Sequence, residues 1–165
     1  MTIKVGDHLP DGKFTVMGPD GPMPKTVSEI FSGKKVAMFA VPGAYTPTCS
    51  KSHMPGFVER VEELKAKGID TIACTAVNDV FVLTSWAKDM GATGKIEMLA
   101  DGSGDFAKAI GLDIDLSNFG LGLRSKRYAM LVEDGIVKVL NVEDKTPVAE
   151  MSSAATLCSM IDRSI

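Results

Sequence analysis

The sequence predicts an α/β protein: a central mixed sheet flanked by helices, with a β extension on its N-terminal side. Three observations carry this. Apolar runs of strand length (VAMFAV at 36–41, TIACTAV at 71–77 and IEMLAD at 96–101) alternate with stretches of helical periodicity, the pattern of strands covered by helices on both faces. Asp134-Gly135 stands between two β-rich runs in RYAMLVEDGIVKVLNV, the strongest short-range hairpin signal a sequence carries. An amphipathic stretch, SSAATLCSMIDR, then closes the chain as a last helix.

The elements follow in order. Lys13 to Val16 is a short strand ended by the turn residues GPDGP at 18–22, and Ser28 to Phe31 is a single helical turn. The run at 36–41 gives way to a helical stretch reaching Lys67, the run at 71–77 to a helix from Asp79 to Met90, and the run at 96–101 to a short helix over Phe106 to Ile110. Asn78 and Asp79 are cap candidates for the middle helix, Asp101 and Ser103 for the short one, and Ser152 or Ser153 for the last. A βαβαβ unit followed by an antiparallel hairpin and a terminal helix is the connectivity of a thioredoxin-like domain. With no repeat and no internal linker, one domain over residues 1–165 is expected.

Composition narrows the function classes. Net charge is −3, and the 18 Lys and Arg are scattered, so no basic stripe marks a nucleic-acid surface. The opening MTIKVGDHLPDGKF is neither a signal peptide nor a transit peptide in pattern, and no run is long enough to span a bilayer; a soluble, cytoplasmic protein is the expectation. Three cysteines at irregular spacing (Cys49, Cys74 and Cys158) suggest neither a disulfide framework nor a zinc module.

The stretch VPGAYTPTCS places Cys49 where a buried strand passes into a helix. In the first turn of a helix, unsatisfied N–H groups and the dipole favour an anion, so a thiol there ionises more readily than an ordinary one. A free thiol of pKa about 8.5 is roughly 3% thiolate at pH 7, so full ionisation raises the reactive fraction about thirtyfold and no more. Further acceleration needs groups that stabilise the transition state. The same turn offers the Thr46 hydroxyl and the backbone N–H groups of Thr48 and Cys49. Pro47 suits a helix start, whereas Pro55 removes an i→i−4 bond and predicts a kink. The bland alternative is a small buried hydrophobe at a strand exit.

These residues resemble a known family. PGAYTPTCS is similar to the P-x-x-x-T-x-x-C signature of peroxiredoxins, and with HMPGF after it resembles the type II, peroxiredoxin-5-like branch. VGDHLPDG, VND, LADGSG, GLGLRSKRYAMLVEDGIVK and LNVE extend the likeness over nearly the whole chain in the family's order. The resemblance implies a thiol peroxidase of thioredoxin fold acting on hydrogen peroxide and organic hydroperoxides. It implies Cys49 as the peroxidatic cysteine, Thr46 as the peroxide-binding threonine, Pro42 as a shield, Arg127 as the guanidinium beside the thiolate, and a homodimer. Arg124 is given a supporting role. Without the resemblance, both arginines read as a solvated strand edge.

Attack on a hydroperoxide leaves a sulfenic acid that a second thiol must reduce. Met151 stands where animal members of the branch carry a resolving cysteine, and cannot resolve anything. Cys158 shares a helix face with Ala154, Ala155, Ile161 and Ile165, and Cys74 sits mid-strand, a position of inert packing although plant-like members with CxxVND have drawn attention to it. The expectation is a one-Cys cycle served by glutathione and glutaredoxin, with thioredoxin as second choice and no cofactor. His53, four residues after Cys49, is read as pocket lining in preference to a base or half of a metal site, since His8 is the only other histidine. Phe119 is an apolar wall suited to alkyl hydroperoxides, or ordinary packing. A peroxide sensor that relays oxidation to a partner, and a scaffold with an idle thiol, are the competing classes.

Overall fold

A computed structural model describes residues 2–143 and 150–163 of the chain. Seven strands form one sheet in the order β2-β1-β5-β4-β3-β8-β9: β1 Lys13–Gly18, β2 Gly21–Thr26, β3 Lys35–Ala40, β4 Thr71–Ala76, β5 Glu97–Ala100, β8 Tyr128–Glu133 and β9 Ile136–Val142. A separate two-stranded ribbon pairs β6 Asp113–Asp115 with β7 Leu123–Ser125. The sheet is mixed as predicted: β3 runs parallel to β4 and β4 to β5, while β8 lies antiparallel to β3 and β9.

The helices are α1 Val27–Phe31, α2 Met54–Glu59, α3 Val61–Ala66, α4 Val80–Asp89, α5 Asp105–Ala109 and α6 Ala154–Arg163. Because strand side chains alternate between faces, β3 feeds two cores at once. Ala37 and Phe39 pack with Met54, Phe57, Leu64, Leu83, Trp86 and Leu157 of α2, α3, α4 and α6. Val36, Met38 and Ala40 pack with Val27, Ile30 and Phe31 of α1 and Phe106 of α5. All three cysteines belong to the first of these cores and are buried.

Several local expectations are corrected. The segment GPMPKT forms β2 despite Pro22 and Pro24, which an edge strand tolerates because one row of its N–H groups has no ladder to serve. The ribbon β6–β7 was not anticipated; its strands are three residues each, too short to show a period. Asp79 caps α4 by accepting from the Val82 N–H, but Asn78 does not cap it; its Oδ1 accepts from the Ala44 N–H instead, 3.0 Å away. Asp101 serves α5 through the N–H groups of Phe106 and Ala107, while Gly104 at φ +75° takes the cap position in place of Ser103. On α6, Ser153 accepts from the Thr156 N–H. Ala154, Cys158 and Ile161 face the core there, but Leu157 fills the place expected of Ala155, which is exposed. Ile165 lies outside the described residues.

Candidate active site

The helix after β3 does not start as a plain α-helix. The Ser50 N–H bonds to the Thr46 carbonyl at 3.0 Å, and then Cys49–His53 forms a π-helical turn in which the Met54 N–H reaches back to the Cys49 carbonyl. Pro55, in the first turn of α2, has no N–H to offer the carbonyl four residues before it, and the widened turn ends directly ahead of it. The kink expected from Pro55 therefore takes the form of a π turn carrying Cys49 at one end and His53 at the other.

The turn is held from α4. Tyr45 has a left-handed φ of +65°, uncommon for a residue with a side chain, and its hydroxyl is hydrogen-bonded to Asp89 Oδ2 at 2.6 Å and to Ser85 Oγ at 3.0 Å. The Asp89 bond is the main reason the Tyr45 phenol is pushed up from its usual range. On the other side of Cys49, the buried Trp86 donates its indole N–H to Ser50 Oγ at 3.0 Å. Neither tether has a local sequence signature, since each joins residues 36 to 44 positions apart.

Arg127 lies between β7 and β8, is only 3% exposed, and points its guanidinium at the turn. Nη2 donates to Cys49 Sγ at 3.1 Å, and Nη1 lies 3.0 Å from His53 Nδ1. The other imidazole nitrogen, Nε2, is 2.9 Å from the Ser152 carbonyl oxygen. A carbonyl can only accept, so Nε2 carries the proton and Nδ1 is left to accept from the arginine. Burial first, and the Arg127 charge second, push His53 down to a pKa of about 3, so the ring is neutral at ordinary pH. His53 does not line the cavity described next: it is buried behind Arg127 against Phe39 and Phe57, which stack at 4.0 Å.

A cavity of about 530 Å³ opens over the turn, lined by Pro42, Thr46, Pro47, Thr48, Leu116, Phe119, Leu121 and Arg127. Its wall is almost wholly apolar. Phe119, at 77% exposure, stands at its rim. Cys49 is fully buried and is not part of the lining; Arg127, which lines the cavity and donates to Cys49 Sγ, stands between the two. Thr46 donates its hydroxyl hydrogen to the Gly43 carbonyl at 2.6 Å, which leaves its oxygen lone pairs as acceptors. Arg124 stays at the edge, donating from Nε to the Leu121 carbonyl at 2.9 Å and from Nη1 to the Pro42 carbonyl at 3.4 Å. Gly43 permits this approach, because a Cβ there would meet Arg124 Nη1 and Thr46 Cγ2 at 3.1 Å each.

The geometry thus gathers Cys49, Thr46, Thr48, Pro42, Arg127 and Phe119 at one place, sets Arg124 beside them, and moves His53 to a supporting position. Cys74 is fully buried in β4, and burial, with the neighbouring Cys49 sulfur second, pushes its thiol well up from the usual range. Among the described residues no three His, Cys, Asp or Glu side chains gather in a way that could hold a metal ion, and no helix is long and apolar enough to cross a membrane.

Two buried polar residues stand behind the site in roles that the sequence does not reveal. Glu143, 8% exposed at the end of β9, accepts from the Ser152 N–H at 2.7 Å, the Ser152 hydroxyl at 2.6 Å and the Met151 N–H at 3.1 Å. Ser152 is fully buried. In the sequence Glu143 is only the acid that follows a β-rich run, and Ser152 only a cap candidate for the last helix.

Comparison with known proteins places the chain among relatives of similar sequence and fold. The Redoxin family model matches residues 4–157. The chain is 50% identical over 147 residues to the chloroplastic Peroxiredoxin-2E of Arabidopsis thaliana, an alignment covering 87% of this chain but 63% of that relative, so the chain spans less than two thirds of its length. It is 48% identical to Peroxiredoxin-2C of Oryza sativa subsp. japonica, covering 86% of this chain and 88% of the relative. Among solved structures, reduced Prx3 from Vibrio vulnificus in complex with H2O2 superposes with a TM-score of 0.92 at 45% identity, covering 97% of this chain and 99% of that one. A sulfur and guanidinium joined across the sheet, a threonine turned to accept, and a family match running almost end to end lead to one conclusion: this chain belongs to the redoxin family, as a homologue of the peroxiredoxins.

Proposed function

We propose that the chain is a thiol-dependent peroxidase of the type II, one-Cys kind that reduces hydrogen peroxide and organic hydroperoxides through Cys49. The observation that carries this reading is the 3.1 Å contact of Arg127 Nη2 with Cys49 Sγ at the wall of an apolar cavity. The thiolate attacks one oxygen of ROOH. The S–O bond forms as the O–O bond breaks, sulfur is oxidised, and the departing alkoxide takes a proton to leave as ROH. Thr46 accepts a hydrogen bond from the hydroperoxide O–H, and the guanidinium holds the charge that grows on the oxygens as they separate. Pro42, Pro47 and Phe119 keep water from the sulfur and suit an alkyl R group.

Resolution by an outside thiol is supported by where the other cysteines lie. Cys74 and Cys158 are both buried, and Met151, exposed in the turn before α6, offers no thiol. A first external thiol condenses with the sulfenic acid, releasing water and forming a mixed disulfide. A second thiol then attacks that disulfide and frees Cys49. We assign the external thiol to glutathione with glutaredoxin, with thioredoxin as second choice. We also read the chain as a homodimer, which the family resemblance implies.

The test is peroxide consumption by Cys→Ser variants with glutathione and glutaredoxin, and in parallel with thioredoxin and its reductase. Cys49→Ser is expected to be inactive, with Cys74→Ser and Cys158→Ser retaining most activity. Loss of turnover in Cys74→Ser would end the one-Cys assignment. A single oxidation of Cys49 without turnover under either reductant would make the chain a peroxide sensor.

A further inference from the structure

The hydrogen bonds behind Cys49 form a closed circuit. From the sulfur it runs through Arg127 Nη2 and Nη1 to His53 Nδ1, from His53 Nε2 to the Ser152 carbonyl, and from the Ser152 N–H and hydroxyl to the Glu143 carboxylate. The Glu143 backbone N–H then donates to the Arg127 carbonyl at 2.9 Å. One residue therefore fixes both the main chain of Arg127 and, through two intermediaries, the direction of its side chain.

We propose that Glu143 is a positioning residue for the sulfur centre: its carboxylate anchors Met151 and Ser152 so that the Ser152 carbonyl sets the His53 tautomer and His53 aims Arg127 at Cys49. This rests on the peroxidase reading above.

The chemistry of each link supports it. Three donors converge on Glu143, from the Met151 N–H, the Ser152 N–H and the Ser152 hydroxyl. A carboxylate has acceptor sites for all of them, whereas an amide has one oxygen and would set an NH2 against an N–H. The middle link is a neutral acceptor, and that choice has a purpose. A carboxylate at position 53 would hold the guanidinium equally well but would pair with its charge, leaving less for the sulfur. Neutral imidazole orients the fork without cancelling it. The only carboxylate in the circuit is Glu143, kept two links away from the guanidinium head.

The test uses the full-length chain. In Glu143→Gln, verified as folded by circular dichroism and thermal midpoint, the rate of Cys49 alkylation by iodoacetamide at pH 7 and kcat/KM for hydrogen peroxide with dithiothreitol are compared with the wild type. Each is expected to fall about tenfold, the size of one lost charge-assisted hydrogen bond. Ser152→Ala keeps the amide and the carbonyl and is expected to stay within about threefold, since it loses one hydroxyl bond only. In the unsubstituted protein, 15N NMR of His53 is expected to show Nε2 protonated and Nδ1 bare. A Glu143→Gln variant with wild-type alkylation and peroxide rates overturns the proposal, as does a His53 protonated on Nδ1. If Glu143→Gln does not fold, the tautomer of the wild type decides. If the wild type consumes no peroxide, the peroxidase reading fails, while alkylation and tautomer still judge the positioning role.

Discussion

Arg127 Nη2 lies 3.1 Å from Cys49 Sγ although the two residues are 78 positions apart in the chain. The contact depends on β8 lying beside β3, because Arg127 directly precedes β8 and the turn bearing Cys49 follows β3. The same guanidinium donates to His53 at 3.0 Å, so its two terminal nitrogens have separate tasks.

Arg127→Lys keeps a positive charge but has one nitrogen in place of a rigid planar fork, and loses the two-point geometry by which separate nitrogens serve His53 and the sulfur. The expected loss in kcat/KM for hydrogen peroxide is about a hundredfold or more, the size typical of removing a preorganised donor from a developing oxyanion. A variant within threefold of wild type would show that charge alone suffices.

Thr46 donates to the Gly43 carbonyl at 2.6 Å and is thereby oriented as an acceptor. Thr46→Val is expected to lower kcat/KM about tenfold, as for one lost neutral hydrogen bond of roughly 1.4 kcal/mol, and Thr46→Ser to recover most of it. Equal rates in the valine and serine variants would remove the hydroxyl from the reaction.

Phe119 is 77% exposed at the cavity rim, so it can be truncated with little damage to the core. Phe119→Ala is expected to leave hydrogen peroxide reduction unchanged while lowering kcat/KM for cumene hydroperoxide about fivefold, from roughly 1 kcal/mol of lost apolar contact. A parallel fall for both substrates would place Phe119 in folding of the loop instead.

His53 links stability to pH. Its pKa is about 3 in the folded chain against 6.5 unperturbed. Below pH 6.5 the unfolded chain binds a proton at His53 that the folded chain refuses until about pH 3. Stability from this group is fully present above 6.5 and is lost as pH falls toward 3, at up to about 1.4 kcal/mol per pH unit. Urea midpoints measured from pH 7 to pH 4 are expected to fall more steeply in the wild type than in His53→Gln. Identical slopes would contradict the buried neutral ring. Peroxidase activity, for the same reason, is expected to show no step near pH 6.5 that disappears in His53→Gln.

What the sequence determined by itself was whatever is local. Strand and helix periods over β3, β4, α4 and the β8–β9 hairpin are set by side chains two to four residues apart, and the placement of Thr46 and Cys49 at a helix start needs only the Pro42 to Cys49 stretch. Where the local signal was weak it misled: Pro22 and Pro24 hid β2, whose existence depends on pairing with β1 at a sheet edge. The tertiary structure alone decided that Arg127 is buried and not a solvated strand edge, that His53 stands behind it and not in the cavity, and that Glu143 closes the circuit through Ser152. Those bonds join residues 74 and 99 positions apart in two cases. Their geometry follows from strand order and from which core face each side chain enters, and no window of neighbouring residues encodes either.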